Sequence, residues 1–150
     1  MEAVILMGLQ ASGKSTFCKQ RFFDTHVRIN LDMLKTRNRE RRLLHVCFDT
    51  GQPFVVDNTN PTRKDRQRYI PAAKSAGFRV VGYYFQSNVE ECMQRNDTRC
   101  EPDRIPEGGV RSTHRRLQLP RFDEGFDELY HVKIAGTGEF MVNPWSGNAG

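Results

Sequence analysis

Gly8-Leu9-Gln10-Ala11-Ser12-Gly13-Lys14-Ser15 sets two glycines, a lysine and a hydroxyl at the spacing G-x-x-x-x-G-K-[ST]. That is the pattern of a phosphate-binding loop, and no other stretch of the chain limits the fold as tightly. Such a loop needs a strand to deliver it and a helix to receive it. Its glycines let successive backbone N–H groups face anionic oxygens, and the helix N-terminus adds partial positive charge. Both neighbours are present. Ala3-Val4-Ile5-Leu6-Met7 is an apolar run of the buried-strand kind, and Ser15 to Phe22 continues as a helix. The motif predicts a nucleotide triphosphate, ATP, as ligand. Its candidate contacts are Gly8, Gln10, Ala11, Ser12, Gly13, Lys14, Ser15 and Thr16. Lys14 would reach the β- and γ-phosphates, and the Ser15 hydroxyl would bind Mg²⁺.

Downstream, strand patterns alternate with helical ones. His26–Asn30 reads as a short strand, and Leu31-Asp32 opens a helical stretch that stops near Gly51. Pro53–Asp57 is a second buried-strand candidate. A helix is expected from about Thr62 to Ala76, with Gly77 as its stop. Phe78–Phe85 is the clearest strand, and Asn88 is placed to cap a helix running to about Asp97. Residues 98–108 have loop composition, with Pro102, Pro106 and Gly108. A helix from about Glu107 to Leu117 is stopped by Pro120, and Leu129–Ile134 is a last strand. Gly136–Gly138 and the tail from Asn143 read as loop and loose end. This order implies an α/β fold, a mainly parallel sheet with helices on both faces. With 150 residues and no repeat, one domain over 1–150 is expected.

The composition excludes several classes. No apolar run is long enough to span a bilayer, so no membrane partner is expected. The N-terminus lacks a basic region ahead of its apolar run, so no signal peptide is expected. Cys18, Cys47, Cys92 and Cys100 form no C-x-x-C and no zinc pattern, which suits reduced thiols in a cytoplasmic protein. The net charge of +5 is concentrated. Lys35, Arg37, Arg39, Arg41 and Arg42 form one basic group and Arg63, Lys64, Arg66 and Arg68 another. Both fit an anionic partner or a solvated helix face.

Three further features belong with the loop. Ligands of parallel α/β sheets bind beyond the C-terminal strand ends, which is where Asp57 and Asp32 fall. Asp57 is a candidate Mg²⁺ ligand beside Ser15, or an N-cap of the next helix. Asp32 is a candidate general base, or again a cap. Arg95 and Arg99, spaced i, i+4 at a helix end, can converge on one anion or stand as solvated charge. Arginines from mobile segments serve phosphoryl transfer in this way.

With these residues placed, the chain resembles the kinase domain of 5′-hydroxyl polynucleotide kinases, from Met7 to about Phe126. The phosphate loop ending Gly13-Lys14-Ser15-Thr16 is followed by Asn30-Leu31-Asp32, matching the family's Asn-x-Asp motif. Asp57-Asn58-Thr59-Asn60-Pro61 is similar to the animal bifunctional form, as are Arg115-Arg116-Leu117-Gln118-Leu119-Pro120 and Glu124-Gly125-Phe126. Arg95-Asn96-x-x-Arg99 resembles the start of the family's lid. The resemblance implies a P-loop kinase fold with a small lid at about 98–116. It implies ATP-dependent phosphorylation of a 5′-OH nucleic acid end in repair, with ATP and Mg²⁺ as cofactors. Asp32 would be the base, Lys14, Arg95 and Arg99 would stabilise the transferring phosphate, and Ser15 and Asp57 would hold the metal. Two departures stand out. The Asp-x-Asp-x-Thr motif of the associated 3′-phosphatase is absent. Lys35 stands where phage-type enzymes place the arginine that contacts the acceptor phosphate, with Arg39 as a second candidate. A small-molecule kinase and an ATPase without acceptor are the alternatives. DNA against RNA preference and oligomeric state stay open.

Overall fold

The computed structural model describes residues 1–86, 88–99 and 105–147. Among these, six strands form one sheet: β1 (Glu2–Met7), β2 (Val27–Ile29), β3 (Phe54–Val56), β4 (Arg79–Phe85), β5 (Glu128–Ile134) and β6 (Phe140–Pro144). Their order is β2-β3-β1-β4-β5-β6. All pairings are parallel except β5 with β6. The helices are α1 (Lys14–Phe22), α2 (Leu31–Leu34), α3 (Arg37–Thr50), α4 (Arg63–Arg66), α5 (Ile70–Ser75), α6 (Val89–Asp97) and α7 (Glu107–Arg116).

The unbroken apolar run of β1 follows from its place at the centre of a sheet covered on both faces. Ala3, Ile5 and Met7 pack with Leu44 and Cys47 of α3 and Ile70 and Ala73 of α5. Val4 and Leu6 pack on the other face with Phe17, Cys18 and Phe22 of α1. Each fully buried Val, Leu or Ile stabilises by roughly 1.5–3 kcal/mol. The registers align Ile5 with Val56 and Val56 with Ile29. The phosphate loop, the Asp57 segment and α2 therefore leave the sheet at one edge. No helix among the described residues is long and apolar enough to cross a membrane.

The elements depart from the sequence pattern in three places. The helix expected from Leu31 to Gly51 is broken at Lys35, whose φ is 74°, and Thr36 caps α3 by accepting from the Arg39 N–H. The helix expected from Thr62 to Ala76 splits into α4 and α5. Pro71 has no N–H for the Gln67 carbonyl, and its ring crowds that turn. The tail adds β6, an antiparallel edge strand that pairs Ile134 with Phe140 across a turn with Gly138 at φ 86°. Phe140 and Val142 pack beside Phe17 and Phe85 on the α1 face. Pro144 is tolerated because β6 lies at an edge.

Gly82 shows how tightly the other face is filled. A Cβ there would lie 2.7 Å from the side chains of both Leu129 and Phe126 and 2.9 Å from Met7. Gly82→Ala should overpack the core and cost about 1–3 kcal/mol. Denaturant unfolding checks this, and a wild-type midpoint would refute it.

Candidate functional site

The phosphate loop is shaped by its own backbone. Ala11 and Gly13 have φ of 61° and 101°, left-handed values on either side of Ser12. Such alternation points successive N–H groups to one side, the nest that anions occupy. Gly13 is the N-cap of α1. The Gly8 N–H donates to the Thr59 carbonyl at 2.9 Å, tying the loop to the segment that follows β3.

Lys14 is 7% exposed. Its ammonium donates to the Gly8 carbonyl (2.9 Å), the Leu9 carbonyl (2.5 Å) and Ser12 Oγ (3.3 Å). Burial lowers its pKa from 10.5 to about 8, against the opposing attraction of Asp57. The unfolded chain keeps this proton up to its ordinary pKa, so folding releases it between pH 8 and 10.5. The contribution of Lys14 to stability should therefore rise across that window, by on the order of 3 kcal/mol when complete. The difference in unfolding free energy between wild type and Lys14→Met, followed with pH, measures it. A difference flat across the window would refute it.

Ser15 and Asp57 meet. Asp57 is 2% exposed and accepts from Ser15 Oγ at 2.9 Å. The pair is a hard oxygen donor set of the kind that suits Mg²⁺, which is held by few protein groups and completed by substrate phosphates. Arg28 joins them, donating from Nε to the same Asp57 oxygen at 2.8 Å and from its terminal nitrogen to Ser15 Oγ at 3.4 Å. The sequence pattern passed over Arg28. Only the fold aligns it with Val55, two residues before Asp57, and so brings it to that carboxylate.

Asp32 is exposed on α2, just past the end of β2. Asn30 caps that helix: its Oδ1 accepts from the Met33 N–H at 2.9 Å and its Nδ2 donates to the Asp57 carbonyl at 2.6 Å. The cap on this edge is thus Asn30, and Asp32 is left with an exposed carboxylate. Lys35 and Arg39 are both exposed, and Arg39 donates to the Leu34 carbonyl at 3.3 Å. In the second basic group, Arg63, Lys64 and Arg68 are exposed but Arg66 is not. Arg66 is 0% exposed and makes a two-pronged pair with Glu124 at 2.8 and 3.2 Å, so it fastens α4 to the chain after α7 instead of lining a surface.

Arg95 and Arg99 reach the loop from the far side. Arg95 donates to the Ala11 carbonyl at 2.8 Å. Both line a cleft of about 330 Å³ with Ala11, Gly13, Thr16 and Phe140. Of the lid expected at about 98–116, residues 100–104 lie outside the described residues. The rest is docked on the loop. Asn96 bonds to both the N–H and the carbonyl of Ile105. Leu9 packs with Cys92 and Val110, and Gln10 donates to Thr113 Oγ1 at 2.9 Å. Cys18, Cys47 and Cys92 are buried free thiols whose pKa values burial raises, Cys18 to about 11, which suppresses thiolate chemistry near neutral pH.

Comparison with known proteins agrees with this architecture. The profile of the AAA domain family matches residues 28–120. The bifunctional polynucleotide phosphatase/kinase of Schizosaccharomyces pombe is 30% identical over 135 residues, covering 87% of this chain and 33% of the relative. The chain thus spans about a third of that relative's length. Among solved structures, a gluconokinase from Sinorhizobium meliloti 1021 superposes with a TM-score of 0.62 at 18% identity, covering 89% of this chain and 83% of that one. Chaetomium thermophilum Kti12 in complex with ADP-AlF3 gives 0.64 at 14%, covering 91% and 92%. The six-stranded, mainly parallel sheet and its helices are those of P-loop kinases, and the chain belongs to the AAA domain family.

Proposed function

We propose that this chain is an ATP-dependent polynucleotide 5′-hydroxyl kinase, acting on DNA or RNA ends in cytoplasmic nucleic-acid repair. The observation that carries the reading is the position of Asp32. Its helix is bonded directly to the Asp57 segment, on the same sheet edge as the phosphate loop. That gives an exposed carboxylate beside a nucleotide site, where an acceptor hydroxyl would be presented. The likeness to the Schizosaccharomyces pombe phosphatase/kinase supports a nucleic acid as acceptor. So do the exposed Lys35, Arg39, Arg41 and Arg42, since lysine and arginine bind phosphate backbones independently of sequence.

In this reading the loop N–H groups and Lys14 bind the β- and γ-phosphates of ATP. Asp32 takes the proton from the 5′-hydroxyl as its oxygen bonds to the γ-phosphorus, and the bond to the β,γ-bridging oxygen breaks to release ADP. Arg95 and Arg99 balance charge on the transferred group. Ser15 and Asp57 would hold Mg²⁺, which when bound neutralises phosphate charge. Rate comes mainly from positioning and fixed charges. Lys35 and Arg39 would contact the acceptor's phosphate. The likeness to a gluconokinase fold keeps a small-molecule acceptor as the second reading.

One assay separates the readings: γ-labelled ATP with a 5′-OH oligonucleotide, with a panel of sugars and nucleosides, or with neither. Label on the oligonucleotide supports the proposal. Label on a small molecule, or free phosphate alone, overturns it.

A further inference from the structure

A helix of four residues does not hold itself in place, because nucleating a single turn is unfavourable. Yet α2 carries Asp32, and something must fix it. Two of its unpaired N–H groups are taken by asparagine side chains. Met33 N–H donates to Asn30, and Leu31 N–H donates to Asn58 Oδ1 at 2.9 Å. Asn30 follows β2 and Asn58 follows Asp57 directly, so one hold on α2 comes from the end of β2 and the other from the end of β3.

Asn58 is itself held from behind by a buried polar cluster. Its Nδ2 donates to Tyr69 Oη at 3.2 Å and to Glu40 Oε2 at 3.4 Å. Tyr69 donates its hydroxyl proton to Glu40 Oε2 at 3.1 Å, and Arg37 donates to Glu40 Oε1 at 2.8 Å and to Tyr69 Oη at 3.2 Å. Glu40 is 4% exposed and Tyr69 1%. Every polar side-chain atom of Asn58, Glu40 and Tyr69 is used. The amide of Asn58 can point only one way, because a backbone N–H cannot accept. A buried carboxylate inside an apolar sheet-covering layer is costly unless it is fully bonded. The four groups reach a single outcome, the orientation of the Asn58 oxygen that accepts from the Leu31 N–H at the start of α2.

We infer that Asn58 is a positioning residue for Asp32, and that Glu40 and Tyr69 act on Asp32 through it. The inference rests on the assignment of Asp32 as base, but the physical coupling exists whatever the acceptor is. Asn58→Ala removes the oxygen that holds Leu31. Tyr69→Phe removes one hydroxyl, leaves Glu40 bonded to Arg37 and Asn58, and disturbs packing least. The side-chain hydrogen bonds of Asn58 and Tyr69 go to Leu31, Glu40, Arg37 and each other, not to the nucleotide loop.

Amide hydrogen exchange on the full chain tests the coupling without substrate. Exchange at Leu31 should quicken by about tenfold or more in Asn58→Ala, and by less in Tyr69→Phe, while amides of β1 and β4 stay protected. Turnover tests the consequence. A base displaced by about 1 Å costs on the order of 100-fold in kcat, with KM for ATP unchanged. In an Asp32→Ala background the Asn58 substitution should cause no further loss. Unchanged Leu31 exchange in both variants would overturn the inference. So would quickened exchange with undiminished kcat, or an Asn58 effect that persists without Asp32. Wild-type protein that labels no oligonucleotide would instead refute the polynucleotide kinase reading, and the exchange result would still judge the clamp.

Discussion

Replacing Asp32 by alanine is expected to lower phosphate transfer to a 5′-OH oligonucleotide by about 10²- to 10⁴-fold, the range typical of a lost general base. ATP affinity should change by less than about twofold, because the side chain is exposed on α2 and bonds to nothing in the phosphate loop. Stability should be almost unaltered, since Asn30 and not Asp32 caps the helix. This combination separates a base from a structural residue: turnover collapses while nucleotide binding and melting temperature hold. Asp32→Asn keeps the shape and removes the proton acceptor, so it should be nearly as inactive as alanine. Steady-state kinetics with nucleotide titration checks both, and transfer within a few-fold of wild type would remove Asp32 from the role.

The parts legible in the sequence are those where one local signal has one physical outcome. The run Ala3–Met7 reads as a strand buried on both faces and is one, and the motif ending Gly13-Lys14-Ser15 reads as the start of a helix, which Gly13 caps. Asn88 was readable as a cap and does accept from the Glu91 N–H at 3.1 Å. What escaped depends on partners distant in sequence. β6 is only five residues long and ends in Asn143 and Pro144, and its alternating Phe140 and Val142 find an apolar face prepared by Phe17 and Phe85. Arg66 looked like one more surface cation, and only the fold brings Glu124, 58 positions away, to meet it. Arg28 is similar. Its charge is unremarkable in isolation and gains meaning only when β2 is placed beside β3 and the Asp57 carboxylate comes within reach. Asp57 itself was foreseen at this edge, and its bond to Ser15 brings the two proposed metal ligands together across 42 positions.

The second large effect is expected at Lys14, and it has two separable parts. Lys14→Met should abolish measurable transfer, because it removes the only side-chain cation within the loop that would face the β- and γ-phosphates. It should also weaken the protein before any nucleotide is added. The Lys14 ammonium donates to two carbonyls and one hydroxyl of the loop, and methionine leaves all three acceptors without that donor. A buried acceptor deprived of its partner costs about 1–3 kcal/mol. A methionine of similar length refills the volume, so a loss of that order would report hydrogen bonding and not a cavity. Alanine should cost more, since it adds the cavity. The ATP-free melting temperature of the two variants, compared at pH 7 and again near pH 10, distinguishes the causes. At the higher pH the wild-type lysine is neutral but still donates two protons, so the hydrogen-bond share of the deficit persists while the charge-desolvation share changes. Wild-type stability in Lys14→Met at both pH values would mean that the loop is held by its backbone alone. Retention of transfer in the same variant would mean that Arg95 and the loop N–H groups suffice to bind the phosphates.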